Sequence, residues 1–293
     1  MPSPIVASIA DLPPDVVAVL DAPPEPVDLE VEADGIPFVA RTWGRPADPP
    51  LVLVHGITAS SRTFWRIAPA LGVALGRYVV APDQAGHGRT GNWAGRVAIR
   101  DNAGSIAAFL RAAGLDRPDL RIVGHSWGGM TVAALPIAGI RPEVLVLFDP
   151  PALPIGAIAS MLDDPIERHY DDLEEALHAI GRLHPTWPWG DVVAKAEPLT
   201  QFDEPAVRAI LTENGDWDGG LEAIRDPAAA GVAIRLVRGE VASGGLMPDP
   251  AAEAIGAVIG AEHVLTIAGG GHSPMRNRLE ATVVALLRAL EPG

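Results

Sequence analysis

The sequence predicts an α/β fold, in which a mostly parallel central sheet carries helices on both faces and an inserted helical lid. Six short apolar runs recur along the chain and alternate with stretches of helical periodicity; they span 51–54, 78–81, 120–123, 144–148, 233–237 and 263–267. Continuous apolar runs rich in β-branched residues are typical of strands buried on both faces of a parallel sheet. Because strands alternate with helices, right-handed crossovers are expected to place helices on both faces.

The N-terminal part of the chain precedes this alternation. Residues 1–26 are rich in proline and predict an irregular Pro-rich arm on the surface. Apolar and acidic residues then alternate over 27–31, and Asp34-Gly35 separates them from the apolar stretch 36–43. This pattern predicts a β-hairpin at the start of the core.

The core is predicted to span 27–150 and 232–293, with residues 151–231 inserted between its two parts. This insertion contains an amphipathic helical pattern over 173–183 and a second candidate helix around 207–211, but no apolar run comparable to the core strands. We interpret it as a helical lid over the carboxyl edge of the sheet.

Three core helices are recognisable from apolar periodicity and from their first residues. One carries Ile106 and Phe109 and begins near Asp101, a residue type suited to capping. A second opens at Asp249-Pro250, and the last spans 279–290 with its apolar residues on one face.

Composition excludes several classes of function. The formal net charge of -15 makes nucleic acids and anionic membranes unfavourable partners. The chain has no cysteine, which excludes disulfides and thiol catalysis, and no H-x-x-x-H or H-E-x-x-H spacing that indicates a metal. Residues 1–22 resemble neither a signal peptide nor a membrane span. We therefore expect a cytoplasmic enzyme without cofactor, and whether it forms a homo-oligomer stays open.

The ends of the predicted strands carry the residues with chemical potential. Ligands of open parallel sheets bind beyond the carboxyl ends of the strands. The residues directly after the apolar runs include a glycine turn, a serine, two carboxylates and a histidine; they are His55-Gly56, Ser126, Asp149, Glu240 and His272.

A G-x-S-x-G pattern, formed by Gly124, Ser126 and Gly128, lies between a predicted strand and a predicted helix. Such a turn holds a serine at a tight bend with its hydroxyl exposed, so Ser126 is predicted to be a nucleophile. A serine hydroxyl needs a base to accept its proton, and histidine has the appropriate pKa. His272, after a glycine-rich loop, is the predicted base.

The oxyanion of a tetrahedral intermediate requires two N–H donors. The backbone N–H of Trp127, directly after the serine, is the first candidate. The second is the N–H of Ile57, because Gly56 allows the backbone to approach closely.

The combination of four motifs resembles the α/β-hydrolase superfamily, in particular serine hydrolases with a helical lid, from about Val27 to the C-terminus. The motifs are His55-Gly56, Asp83-x-x-Gly86-His87-Gly88, Gly124-His125-Ser126-Trp127-Gly128-Gly129 and Gly271-His272. The resemblance implies a catalytic acid, usually after the penultimate strand, where this sequence has Ala242 and Ser243. The family's other solution implies Asp149, and Glu240 is the alternative acid.

The predicted lid carries Trp187, Trp189 and Trp217, which either form the wall of a pocket for an apolar substrate or attach the lid to the core. This segment has no basic cluster, so a strongly anionic substrate is not expected, although Arg168 or Arg182 could each bind one negative charge.

The expected function is a cofactor-independent serine hydrolase that cleaves a carboxylic ester or lactone of an apolar or aromatic small molecule through an acyl-enzyme. The alternatives are a C–C bond hydrolase or a cofactor-free dioxygenase on the same fold, or a non-catalytic ligand-binding protein.

Overall fold

The central feature of the computed structural model, which describes residues 3–92 and 97–292, is a twisted sheet. The strands found in these residues are β1 (Val27–Ala33), β2 (Ile36–Trp43), β3 (Pro50–Val54), β4 (Tyr78–Pro82), β5 (Arg121–His125), β6 (Val144–Phe148), β7 (Ala152–Leu153), β8 (Trp217–Asp218), β9 (Ala233–Gly239) and β10 (Val264–Ile267).

Eight of these strands form the main sheet, in the spatial order β1-β2-β4-β3-β5-β6-β9-β10. The pairs β1–β2 and β2–β4 are antiparallel, and the remaining pairs are parallel. The six apolar runs correspond to β3, β4, β5, β6, β9 and β10, so the prediction of a mostly parallel sheet is confirmed.

The helices of the described residues are α1 (Pro14–Asp21), α2 (Ile67–Leu75), α3 (Ile99–Ala112), α4 (Trp127–Ala133), α5 (Ile155–Ala159), α6 (Leu173–Leu183), α7 (Trp189–Ala196), α8 (Glu204–Glu213), α9 (Leu221–Arg225), α10 (Asp249–Ile259), α11 (Pro274–Asn277) and α12 (Leu279–Ala289). Short 3-10 helices occupy Ile9–Asp11, Ser61–Phe64, Ser160–Asp163, Glu197–Thr200, Pro227–Ala229, Val241–Ser243 and Ala261–His263. None of the helices found over 3–92 and 97–292 is long and apolar enough to cross a lipid bilayer.

Helices cover both faces of the sheet, as predicted. On one face, Phe109 of α3 and Ile255 of α10 belong to a buried apolar cluster that includes Ile122 of β5. On the other face, Leu71 of α2 and Leu286 of α12 belong to a second buried cluster. Two separate cores therefore sandwich the strands.

The N-terminal arm is more ordered than the sequence predicted. Residues Pro14–Asp21 form helix α1, which buries Val16 and Leu20 in the same cluster as α2 and α12. Ile5 also pairs in parallel with Ile267 of β10. Pro14 at the first helical position, where its missing N–H is not needed, was the signal for this helix.

The insertion, residues 151–231, is mainly helical and holds α5 to α9. It also contains the two-residue strands β7 and β8, which pair with each other and which no apolar run predicted. Its buried residues, including Ile180 of α6 and Leu199, form a third apolar cluster with Trp127 and Met130 of α4. Because α4 begins at the carboxyl end of β5, this cluster joins the insertion to that edge of the sheet.

Candidate active site

The turn between β5 and α4 holds Ser126 in an unusual backbone conformation, with φ 58° and ψ -126°. A non-glycine residue rarely adopts such angles, and the strain persists only where the surrounding structure enforces it. A Cβ on Gly124 would lie 2.2 Å from the carbonyl oxygen of Gly128, and one on Gly128 would lie 2.4 Å from the carbonyl oxygen of His55. Glycine at both positions allows the turn to pack directly against its neighbours.

Gly56 lies on the opposite side of the serine. A Cβ at this position would lie 2.8 Å from Cβ and 3.2 Å from Oγ of Ser126. The glycine was predicted to allow close approach of the backbone, and Gly56 does contact Ser126 and also lines the cavity described below.

His272 lies between Ser126 and Asp149. Its Nε2 is 2.9 Å from Oγ of Ser126, and its Nδ1 is 2.7 Å from Oδ2 of Asp149. When Nδ1 carries the proton and donates it to the carboxylate, Nε2 is left to accept the serine proton. The three residues predicted from the strand ends are thus brought together in one chain of hydrogen bonds.

The Asp149 carboxylate is completely buried at the end of β6. Its Oδ1 accepts the N–H of Gly239 at 3.0 Å, and its Oδ2 accepts the N–H of Leu246 at 3.1 Å. The residue itself has a positive φ of 44°. Two backbone donors and His272 therefore satisfy a carboxylate that is otherwise removed from water.

Glu240, the alternative acid, makes a different contact. Its Oε2 accepts the N–H of Gly269 at 2.9 Å, in the glycine-rich loop that leads to His272. Among the described residues, Asp149 is the only carboxylate hydrogen-bonded to His272. Glu240 thus supports the loop without contacting the imidazole.

A second histidine supports the same loop. Nε2 of His125 donates to the carbonyl oxygen of His272 at 2.7 Å, and the two ring centroids are 5.0 Å apart. Burial, followed by the neighbouring His272 charge, lowers the pKa of His125 well below its usual value. His125 is therefore neutral at pH 7 and serves as a donor.

The two predicted oxyanion donors belong to residues next to the serine in the chain or in space: Trp127 directly follows Ser126, and Ile57 follows Gly56, which packs against Ser126. Neither the N–H of Ile57 nor that of Trp127 has a hydrogen-bond partner among the described residues. Ile57 lines the cavity, and Thr58 after it has a positive φ of 53°. Neither N–H group is therefore committed to another acceptor within the described residues.

Both ring nitrogens of His55 form hydrogen bonds within the protein. Its Nδ1 donates to the carbonyl oxygen of Gly56 at 2.7 Å, and its Nε2 accepts the N–H of Gln84 at 2.9 Å. Burial, and next the charge of His87, lowers its pKa to about 4, against an opposing effect of Asp83. A neutral His55 thus connects the loop after β3 to the loop after β4.

A cavity of about 290 Å³ opens beside Ser126 and His272. The loop after β3 contributes Ile57, and the insertion contributes an apolar wall; this wall comprises Met161, Leu162, Phe202, Val207, Leu211 and Trp217. Ser126 therefore borders a partly open, largely apolar space next to the insertion.

The three tryptophans of the insertion have different positions. Trp217 is buried, lines the cavity and packs on Trp127 with ring centroids 5.1 Å apart. Trp187 stacks on His184 at 3.6 Å and lies outside the cavity wall, while Trp189 is 64% exposed. Of the three, Trp217 is the one that belongs to the described cavity wall, and a substrate-binding role for Trp187 and Trp189 stays a prediction.

A partly buried polar cluster that the sequence did not reveal connects the insertion to the loop that carries Ile57 and Thr58. Lys195, the single lysine of the chain, forms an ion pair with Glu167, and Oγ1 of Thr58 donates to Oε2 of Glu167 at 2.9 Å. Burial lowers the pKa of Lys195. Burial alone would raise the pKa of Glu167, but Lys195 and Thr58 outweigh it and the net shift is downward.

The mostly parallel sheet, with Ser126, His272 and Asp149 in contact at its carboxyl edge, is the arrangement found in α/β hydrolases. A family model described as "Alpha/beta hydrolase family" matches residues 51–285. The chain therefore belongs to the alpha/beta hydrolase family. No sequence among curated proteins matches it.

Solved structures share this fold at low sequence identity. An E-2-(acetamidomethylene)succinate hydrolase is 21% identical, with a TM-score of 0.74 over 90% of this chain and 98% of its own. The esterase RhEst1 from Rhodococcus sp. ECU1013 is 20% identical, with a TM-score of 0.64 over 90% and 99%. A variant of the N-acyl homoserine lactonase AidH is 18% identical, with a TM-score of 0.63 over 90% and 96%. At these identities the similarity establishes the fold alone.

Replacing Gly128 with alanine should destabilise the protein by about 1–3 kcal/mol or more, because backbone atoms must move to admit the methyl group. The matched control is Gly104→Ala in α3, where nothing lies within 4 Å of the added Cβ. That variant should be stabilised by about 0.5–1 kcal/mol. Urea unfolding measures both, and equal stabilities of the two variants would contradict the packing argument.

Acid should destabilise the protein through His55. The pKa is about 4 in the folded chain and about 6.5 in the unfolded chain. Between these values the unfolded chain binds more protons, so the free energy of unfolding falls as the pH drops from 6.5 towards 4.

The measurement is urea unfolding at pH 7 and pH 5 for wild type and His55→Gln. The glutamine keeps an acceptor but does not titrate, so its stability should depend less on pH by on the order of 1–2 kcal/mol. Two other buried histidines, His87 and His125, also have lowered pKa values, and they contribute to the pH dependence of unfolding in both proteins. Parallel pH profiles would show that His55 is not the source.

Proposed function

We propose that the protein is a serine hydrolase that cleaves a carboxylic ester or lactone of a small, largely apolar molecule. The observation that carries this proposal is the pair of contacts made by His272, 2.9 Å to Ser126 and 2.7 Å to Asp149. A serine becomes an effective nucleophile when a base within hydrogen-bond distance is itself oriented by a third group.

In the first half-reaction, Oγ of Ser126 attacks the substrate carbonyl carbon while its proton passes to Nε2 of His272. Asp149 accepts the Nδ1–H and stabilises the imidazolium that forms. The N–H groups of Ile57 and Trp127 bind the oxyanion. His272 then protonates the departing alkoxide, and the acyl group remains on Ser126.

In the second half-reaction, His272 removes a proton from water, and the resulting hydroxide attacks the acyl carbon. The same two N–H groups bind the second oxyanion. Collapse of the intermediate releases the carboxylic acid and returns the proton to Ser126. Both half-reactions use only protein groups and water.

The proposed substrate is small because the cavity is small. Its volume of about 290 Å³ is at the lower end of the range of about 300–1,000 Å³ typical of small-molecule sites. The apolar wall from the insertion, including Phe202 and Trp217, favours an apolar body next to the scissile bond. The insertion would thus serve as a lid that shields the reaction from bulk water.

Esters and lactones are preferred for two reasons. The arrangement around Ser126 suits acyl transfer, in which charge develops on a carbonyl oxygen. Two of the structural neighbours are named as an esterase and a lactonase. The neighbours' names support the choice of bond, while the contacts of His272 support the mechanism.

Ser126→Ala should lower kcat by about 10⁴-fold or more while leaving the protein folded, because the nucleophile is lost. A fluorophosphonate probe should label wild type and fail to label this variant. The matched control is Ser160→Ala, which removes an exposed serine of the insertion and should keep both labelling and turnover. Labelling of the Ser126→Ala variant, or no labelling of folded wild type, would contradict the proposal.

The identity of the acid is tested by a pair of isosteric substitutions. Asp149→Asn should lower kcat by about 10²–10⁴-fold, because the amide cannot stabilise the imidazolium. Glu240→Gln keeps an oxygen that accepts the N–H of Gly269, so its activity should stay close to wild type. Hydrolysis of 4-nitrophenyl butyrate measures both, with circular dichroism to check folding. A greater loss in Glu240→Gln than in Asp149→Asn would reverse the assignment.

A further inference from the structure

The geometry points to Arg276 as the binding site for a carboxylate of the substrate, so that the hydrolysed molecule carries one negative charge on its small apolar body. For the bond that is cleaved, this inference rests on the proposed function. The anion site itself rests on the surroundings of Arg276.

Arg276 lies on α11, four residues after His272, and both side chains line the cavity that also contains Ser126. One guanidinium N–H donates to Oγ1 of Thr63 at 2.9 Å. The guanidinium carbon lies 4.9 Å from the ring centre of Trp187. These two contacts fix the side chain beside the reacting groups without neutralising its charge.

Most of the hydrogen-bonding capacity of Arg276 is unused. A guanidinium has five N–H donors, and its Nε atom here is buried without a partner. No carboxylate among residues 3–92 and 97–292 lies within ion-pair distance of it. Arg276 is partly buried. A cation that is partly removed from water and has no ion-pair partner is unfavourable, and an anion that binds to it offsets part of that cost.

Two of the other basic groups of the cavity wall are paired with carboxylates, and a third is exposed to water. Lys195 is paired with Glu167, and Arg168 is paired with Glu175 at 2.5 Å. Arg208 is exposed to water. Among the arginines and the lysine of the described wall, Arg276 is therefore the one that is both shielded from solvent and without an ion-pair partner.

Two acidic groups lie near Arg276 without forming an ion pair with it. Glu167 is bound by Lys195 and Thr58. Oδ1 of Asp191 accepts the indole N–H of Trp65 at 2.9 Å, while its Oδ2 has no hydrogen-bond partner and lies 3.9 Å from the guanidinium of Arg66. Burial lowers the pKa of Arg276, while the more distant charges of Asp191 and Glu167 oppose this shift. A ligand anion would join these charges in stabilising the guanidinium.

Two further acidic side chains of the cavity wall, Asp164 and Glu204, have other surroundings. Asp164 accepts the backbone N–H groups of Ile166 and Glu167 at 2.7 and 3.0 Å. Glu204 is exposed on α8. Neither side chain forms an ion pair with Arg276.

A carboxylate fits this site better than a phosphate group. The planar guanidinium matches the planar carboxylate in a two-bond geometry, and a single cation balances a single charge. A phosphate ester carries closer to two charges at pH 7. The insertion has no basic cluster, so its sequence predicts no strongly anionic substrate. The cation proposed here, Arg276, lies outside the insertion, on helix α11 of the core. Arg182, considered as a candidate, is exposed and lies outside the wall.

The test compares esters that differ only in one charge. The first pair is the mono-4-nitrophenyl ester of glutaric acid and its methyl ester, in which the carboxylate lies on the acyl side. The second pair is 3-acetoxybenzoate and its methyl ester, in which the carboxylate lies on the alcohol side. For each pair, the ratio of kcat/KM for the charged over the neutral substrate is the measured quantity.

Wild type should prefer the charged member of at least one pair. Arg276→Gln should lower that ratio by about 10- to 100-fold, which is the usual effect of losing a hydrogen bond to a charged group. For Arg276→Lys the ratio should lie between those of wild type and Arg276→Gln, because lysine keeps the positive charge but cannot form two parallel hydrogen bonds to a carboxylate. Arg182→Gln, which removes an exposed charge from the insertion, should keep the wild-type ratio. An unchanged ratio in Arg276→Gln for both pairs overturns the inference.

A binding measurement separates this inference from the proposed function. Calorimetric titration of glutarate into Ser126→Ala should show binding that Arg276→Gln in the same background weakens by a similar factor. If no ester is hydrolysed but this binding is seen, the proposed function fails and the anion site stands. If esters are hydrolysed through Ser126 but glutarate binds equally with and without Arg276, the carboxylate site is refuted and the proposed function stands.

Discussion

The active site depends on the close packing of two backbone segments. Gly128, at the start of α4, lies so near the carbonyl oxygens of Val54 and His55 that no side chain fits between them. The same packing brings Gly56 against Ser126 and holds the serine at a positive φ. The strained turn is stable because β3 and β5 are neighbours in the parallel sheet, with both cores behind them.

This packing also determines where charge can be accommodated. The ends of β6 and β9 supply Asp149 and the N–H of Gly239, so a carboxylate with no exposure to water still has backbone donors. His272 completes the set from the loop after β10. Adjacent strands thus contribute the members of the hydrogen-bonded chain, and the sheet order makes them neighbours although the sequence separates them widely.

The sequence was sufficient for the features that are local. Each core strand is a continuous apolar run, and the Gly124–Ser126–Gly128 spacing identifies its own turn, so both could be predicted. Helix α1 is not predicted by the local pattern, because the prolines around it are also typical of irregular structure. Arg276 and Thr63 are 213 residues apart, and Thr58 and Lys195 are 137 apart, so nothing in the local pattern could reveal their contacts.

The insertion shows why the substrate is harder to infer than the fold. Its aromatic content suggested an apolar pocket, yet Trp189 faces solvent and Trp187 contacts the guanidinium of Arg276. The insertion also reaches the core through Glu167 and Lys195, whose partner Thr58 follows the oxyanion candidate Ile57. Since one segment both walls the cavity and contacts the loop that carries an oxyanion donor, changes in the insertion should affect substrate choice and the geometry of catalysis together.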